Sequence, residues 1–339
     1  MSRINQYFYN GLTEGCKSAF NAIRAGLNAM APCIEVNNEA NLHNVFSHIV
    51  STMPEYYFVC RKHTYIVKGS RCCIEPSYSF AKEEVRQLSR KLESMAGVIA
   101  NSIKACNQAD YRKVLEIHDY IRKNVTYDYE ALLMANTTKT GREDSYTVVG
   151  AMIKRKCACS GYAMAMKLLC EKAGIECHVI TGTASSAKAS GPHAWNAVKI
   201  SGYYHHVDVT WDNQLSGNIE IPNYGYFGLD DEEISKDHNW DRRCFPPCPQ
   251  APYNYFRVNR LLAETEAQLD NRLYEAMRNK ETSIMFKVKK NSPLESAVAG
   301  RLPDIVKSAA RRCSTALAGY NVMTIPNQQV YMLEVIYRS

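Results

Sequence analysis

No stretch of this chain approaches about 18 uncharged apolar residues, so no membrane span is expected. The opening segment, MSRINQYFYNGLTEGCKSAFNAIRAGLNAMAPC, lacks an unbroken apolar core of signal-peptide length, because Glu14, Lys17 and Arg24 interrupt it. Phenylalanine is scarce, with 9 residues against 22 tyrosines, a skew that favours amphipathic surfaces and clefts. Basic stripes are also missing. The net charge of +7 is mild, and the densest run is KVKK, with Lys287, Lys289 and Lys290. That run, like Lys307, Arg311 and Arg312, reads as a solvated strand or helix face. Without interleaved aromatics of an RNA-recognition type, a nucleic-acid partner is not expected.

The apolar fraction of 46% over 339 residues allows two or three domains with packed cores. Thirteen cysteines, an odd number without a recognisable leader, favour reduced thiols and a cytoplasmic setting over a disulfide framework. An unusual export route stays open.

Helical patterns are expected in residues 1–37, in NLHNVFSHIVSTM before Pro54, in KEEVRQLSRKLESMAGVIANSIKAC, and in the DYRKVLEIHDY stretch with Asp110 as N-cap. Between them, EYYFVCRKHTYIVKGSRCCIEPSYSF reads as two or three strands turning at Gly69. Loops are expected within EALLMANTTKTGREDSY and at SSAKASGP. The proline-rich RRCFPPCPQAPYN reads as a linker. Beyond it a helix, a strand, a helix and a last strand, QVYMLEVIY, make a small α+β unit. The division expected is an α/β accessory region at 1–95, a core at 96–243 and a C-terminal domain at 250–339.

Four cysteines fall within RKCACSGYAMAMKLLCEKAGIEC. Residues 160–173 are free of proline and rich in helix formers, and Gly174 is a natural stop. Cys159 therefore stands at the first turn, where free N–H groups and the helix dipole favour a thiolate. Gly161 leaves room for a substrate backbone to approach. Cys170 and Cys177 read as core, and Cys157 as a neighbouring thiol or packing residue. Cys157 and Cys159 make a poor metal signature, and Cys244 with Cys248 does not complete a zinc-knuckle spacing, so no metal is expected.

A nucleophilic cysteine needs a base, and the base a third group to orient it. HAWNAVKI and YYHHVDVTWD flank Ser201-Gly202. A two-residue turn there makes Ile200 face Tyr203, Trp195 face Asp208 and His193 face Thr210. His193 and Asp208 then share a face as diagonal neighbours. Ala194, Val198, Ile200, Val207 and Val209 form the opposite, apolar face, with Asn196 and His205 as intruders. A structural His–Asp pair on a sheet surface is the competing explanation. His206 is expected at the rim, near the turn.

CSGYA at Cys159, HAWNAVKI at His193 and YHHVDVTWDN at Asp208 closely resemble the transglutaminase-like superfamily. IHDYIRKNVTYD upstream and YGYFGLDDEEISKDHNW downstream are similar to its bacterial members, so the resemblance covers roughly 110–240. It implies an α+β, papain-like core, with a nucleophile helix packed on an antiparallel sheet and small α/β flanking regions. It also implies thiol acyl transfer on a protein or peptide substrate without a cofactor. Cys159 would attack an amide, His193 would protonate the leaving amine, and Asp208 would hold the imidazole. Tyr127 is the upstream aromatic that could join an oxyanion hole with the Cys159 N–H. Trp195 is either a cleft or a core aromatic, and Tyr162 a packing residue. Calcium sites, sandwich domains and paired C-x-x-C metal modules of other branches are absent, which puts hydrolysis of peptide or side-chain amides first. A glutamine transamidase or deamidase with the same triad, and a non-catalytic binding module on the same fold, are the alternatives.

Overall fold

The computed structural model describes residues 2–105, 109–138, 143–186, 190–214 and 222–338. Parts of the expected loops, at 139–142 and 187–189, and the end of the first long helical pattern, at 106–108, lie outside the described residues. The chain divides into two compact units, Met1–Thr210 with Asp237–Pro249, and Trp211–Lys236 with Gln250–Ser339.

The first unit begins with α1 (Gln6–Asn10), α2 (Glu14–Ala29), β1 (Ile34–Asn37), α3 (Leu42–Thr52), β2 (Val59–Lys68) and β3 (Arg71–Tyr78). Thr13 caps α2 by accepting the Cys16 N–H, and Cys16, Ala19, Phe20, Ile23 and Leu27 form its buried stripe. Gly69, at φ +60°, makes the β2–β3 turn, and the antiparallel sheet runs β1-β3-β2. Cys33 and Cys73, expected as thiols, are instead joined by a disulfide. Pairing of β1 with β3 brings their Cα atoms to 5.7 Å, a separation suited to bridging.

Next come α4 (Lys82–Ala105), α5 (Asp110–Asn124), β4 (Thr126–Tyr127), α6 (Tyr129–Thr138), β5 (Lys156–Cys157) and α7 (Cys159–Lys172). Asp110 is the first helical residue of α5 rather than its cap, which is Ala109; the acid there still complements the helix dipole. The loop expected after Tyr129 is partly helical, as α6. The strands β6 (Cys177–Ser185), β7 (Ser190–Ile200) and β8 (Tyr203–Val207) form an antiparallel sheet. α8 (Val209–Gln214), β9 (Phe227–Leu229) and α9 (Asp231–Ile234) follow in the chain and, from Trp211 on, belong to the second unit. β10 (His238–Asn239) then returns to pair with the outer edge of β6.

α7 packs on β6 and β7 and touches α4 and α5. It is therefore apolar on nearly every side, with Gly161, Tyr162, Ala163, Met164, Ala165, Met166, Leu169 and Cys170 buried. Gly174, at φ +86°, ends it, and the Ile175 N–H returns to the Cys170 carbonyl at 2.8 Å. Lys167 is the buried cation of this helix, satisfied by Glu171 Oε1 at 2.6 Å and the Cys177 carbonyl at 2.9 Å. The core is thus an α+β layer pair, a buried helix on an antiparallel sheet.

In the second unit, α10 (Tyr255–Val258), β11 (Leu262–Ala263), α11 (Glu266–Arg278), β12 (Ser283–Val288), α12 (Pro293–Arg312), β13 (Leu317–Ile325) and β14 (Val330–Tyr337) follow in order. The sheet runs β11-β12-β14-β13, and α11 and α12 close one face over Ile284, Phe286, Leu333 and Val335. The unit changes at Pro249–Gln250, inside the proline-rich stretch. β13 was not expected. Its exposed, partly polar sequence LAGYNVMTI shows no clean alternation. No helix of the described residues is long and apolar enough to cross a membrane.

Candidate active site

Ala158 precedes α7 in extended conformation, and its N–H donates to the Ser145 carbonyl at 2.7 Å. Cys159 is therefore the first helical residue, with its half-buried thiol at the positive end of the helix dipole.

The hairpin turn has positive φ at both Ser201 (47°) and Gly202 (94°), as a two-residue turn matched to strand twist requires. Ile200 faces Tyr203 and Asn196 faces Val207, the register expected. The ladder stops there. Asp208 Oδ1 accepts the Thr210 N–H at 2.9 Å and turns the chain into α8, so His193 faces Gly182 on β6 and not Thr210. Freed from the ladder, Asp208 presents Oδ2 to His193 Nε2 at 2.7 Å.

With Nε2 committed to Asp208, the other ring nitrogen is the one left to face the thiol. Burial pushes the thiol up, but the His193 hydrogen bond and charge, with the Ala194 backbone, outweigh it and hold Cys159 below the ordinary thiol value. Burial would likewise strip His193 of its proton. The charge and hydrogen bond of Asp208, then the thiolate, reverse this and raise it to about 10. Asp208 also loses by burial and gains more from His193 and from a second histidine, which keep it below the usual carboxylate range. The downward shift of the thiol and the upward shift of the imidazole run in the same sense, towards a proton held on His193.

The second histidine, His238, was missed by sequence reasoning. Its Nε2 lies 3.1 Å from the same Asp208 oxygen, and its Nδ1 lies 2.6 Å from Asp237 Oδ1. The signal available was an Asp–His–Asn–Trp run far downstream, with nothing local to tie it to the hairpin.

Trp195 is buried, 6.0 Å from the His193 ring and nearly parallel to it, and its Nε1–H donates to His206 Nδ1 at 3.0 Å. It walls the histidine as a core aromatic. His206, expected at the rim, is completely buried, because Trp240 from the returning segment packs over it at 4.8 Å. Gly161 does not open a path for substrate. A Cβ there would lie 2.6 Å from the Cys157 Cβ and 2.9 Å from the Thr147 carbonyl, so its small size serves packing behind the thiol. Cys157 is buried, and desolvation pushes its thiol well up. Tyr127 is half-buried on β4, where it pairs with Cys157 two residues before the candidate nucleophile. Tyr162 packs beside it and donates its hydroxyl to the Val125 carbonyl at 2.8 Å.

The two polar intruders on the apolar face have structural partners. Asn196 donates to the Ala163 carbonyl at 2.9 Å and ties β7 to α7, while His205 Nδ1 lies 3.0 Å from the Tyr203 carbonyl. His193, Asp208 and His238 each offer a metal-ligand atom within 4.8 Å of the others. Both imidazoles meet the Asp208 carboxylate at hydrogen-bond distance.

Residues 98–209 match the family described as the transglutaminase-like superfamily. Kyphoscoliosis peptidase of Mus musculus is 29% identical over 115 residues, which is 32% of this chain and 16% of that protein. The Homo sapiens protein of the same name is 28% identical over 118 residues, 32% of this chain and 17% of that protein. The chain thus spans about a sixth of the length of these relatives. Among solved structures, a TGase is 15% identical, with 55% of this chain and 51% of that chain covered at a TM-score of 0.31. The periplasmic domain of TgpA from Pseudomonas aeruginosa is 17% identical, with 43% and 55% covered at a TM-score of 0.27.

Proposed function

Taking residues 98–209 as a transglutaminase-like core, we propose that the chain is a cysteine-dependent acyl-transfer enzyme that hydrolyses peptide or side-chain amides. The observation that carries this reading is the placement of Cys159 at the α7 start, with its thiol lowered by His193, and of His193 on Asp208 at 2.7 Å. The Cys159 thiolate attacks the amide carbonyl carbon and forms a C–S bond, while the carbonyl electrons move to oxygen. First-turn N–H groups of α7 face the developing oxyanion. On collapse the C–N bond breaks, and His193 gives its proton to the leaving amine. Water, losing a proton to the now neutral His193, then cleaves the thioester and restores the thiolate. Asp208 keeps the imidazole in the tautomer and orientation both steps need.

The acyl acceptor separates hydrolysis from amine transfer. Glutamine-containing peptides would be incubated with the full chain, with and without a dansylated alkylamine, and products read by mass spectrometry. Hydrolysis predicts a new amino terminus from backbone cleavage, or a gain of about one mass unit from side-chain deamidation, without amine incorporation, and loss of either product in Cys159→Ala. Incorporation of the amine as the main product would move the assignment to a transamidase. An identical product pattern from Cys159→Ala would overturn the reading.

A further inference from the structure

We propose that His238 is a positioning residue for Cys159, His193 and Asp208: it shares the oxygen that His193 uses and so fixes both the place and the basicity of the Asp208 carboxylate. This rests on the reading of the site given above.

The geometry assigns its charge. A neutral imidazole has one N–H and one acceptor nitrogen. His238 has a carboxylate oxygen on each nitrogen, Asp208 Oδ2 at 3.1 Å and Asp237 Oδ1 at 2.6 Å, so it donates from both and is a cation. It is completely buried, and burial opposes that charge; the two aspartates more than restore it. The titratable groups facing it are Asp208 beyond β8, Asp237 beside it and His193 on β7, whose ring lies 5.3 Å away, with Cys159 behind His193. Trp195 packs edge-on at 4.8 Å and excludes water. From Cys159 to Asp237 the charges alternate in sign.

Two cations therefore divide one oxygen. Each receives less stabilisation than it would alone, and His193 gives up its proton to a leaving amine more readily than with an unshared aspartate. The seat for His238 is built on purpose-sized space. β10 pairs His238 with Ala184 and Asn239 with Thr183. A Cβ on Gly182 would lie 2.2 Å from the Asn239 carbonyl oxygen and 3.1 Å from the Trp195 ring, so a glycine opposite His193 is what lets β10 approach.

The test uses the full chain and iodoacetamide, with the rate at Cys159 read by peptide mass mapping from about pH 4 to about pH 11, spanning the thiol and imidazole ranges. Wild type is compared with His238→Gln, which keeps an N–H donor without the charge, and with Asp237→Asn. In His238→Gln the upper step, which belongs to His193, is expected to rise by about 0.5–1 pH unit, with the lower step moving less. Asp237→Asn should move it in the same direction by a smaller amount, and it decides the matter if His238→Gln does not fold. A purely structural role would lower the melting temperature and leave the upper step where it is. Folded variants with both steps unmoved would overturn the proposal alone. A wild type without any low-pH thiolate step would overturn it together with the catalytic reading.

Discussion

Two sets of histidines in the first unit are pushed in opposite directions. His48, His178 and His205 lie at positions where burial dominates. Desolvation, with the nearby charges of His178 and Lys167, lowers His48 to about 3. Desolvation and Lys167 bring His178 to about 4 against the pull of Glu176, and burial brings His205 to about 4 despite the Tyr203 carbonyl. His193 and His238 are buried as well, yet both are raised, because each meets Asp208 directly and His238 meets Asp237 too. A carboxylate at hydrogen-bond distance does not suffice by itself: the part-exposed Glu176 lies 3.2 Å from His178, opposed by Lys167, whereas the buried Asp208 raises both of its histidines. Of the two sets, only the raised one reaches the thiol.

Breaking the raised set should have the largest effect. Asp208→Asn is expected to cut turnover by about 10³–10⁴-fold, the order associated with losing the orienting carboxylate of a triad. Glu176→Gln, at the lowered set, should leave turnover unchanged. Steady-state kinetics on the substrate identified above checks both, and equal losses would dissolve the distinction.

A smaller effect sharpens it through stability. Unfolded histidines take up protons below about pH 6.5, whereas His48, His178 and His205 resist until about pH 3–4, so the stability they contribute is lost as the pH falls through that window. His193 works in the other direction. Its contribution is complete below about pH 6.5 and is lost as the pH rises towards about 10. Asp208 adds a contribution present above the ordinary carboxylate range and lost below it. Thermal unfolding against pH should therefore fall on both sides of neutrality. His205→Asn should flatten only the acid limb, whereas Asp208→Asn should flatten the alkaline limb and also remove its own carboxylate's share of the acid one. His205→Asn flattening the alkaline limb would contradict this separation.

Much of the site was legible because it depends on local rules. A two-residue turn fixed the register of HAWNAVKI against YYHHV, and helix propensity with Gly174 fixed the start and end of α7. The errors arise where the chain returns to itself from a distance. Alternation carried the second strand on to Thr210, but Asp208 captured the Thr210 N–H and ended it at Val207. His206 was expected in solvent because no local pattern announces that Trp240 covers that face. His238 was invisible for the same reason, since its tie to Asp208 spans 30 residues. Gly161 was given a functional role that its contact with Cys157 removes. In the C-terminal unit, β13 escaped because an edge strand with one half-covered face need not alternate.

The central claim is that Cys159 and His193 form a thiolate–imidazolium pair, and alkylation at neutral pH tests it most directly. Wild type and His193→Ala would be exposed to limiting iodoacetamide, and every cysteine peptide quantified. The account predicts that Cys159 reacts first in wild type, with an apparent pKa well below the free-thiol value of about 8.5, and that His193→Ala abolishes this lead. Cys159 reacting no faster than the half-buried Cys60 or Cys244, or reacting equally fast without His193, would contradict it.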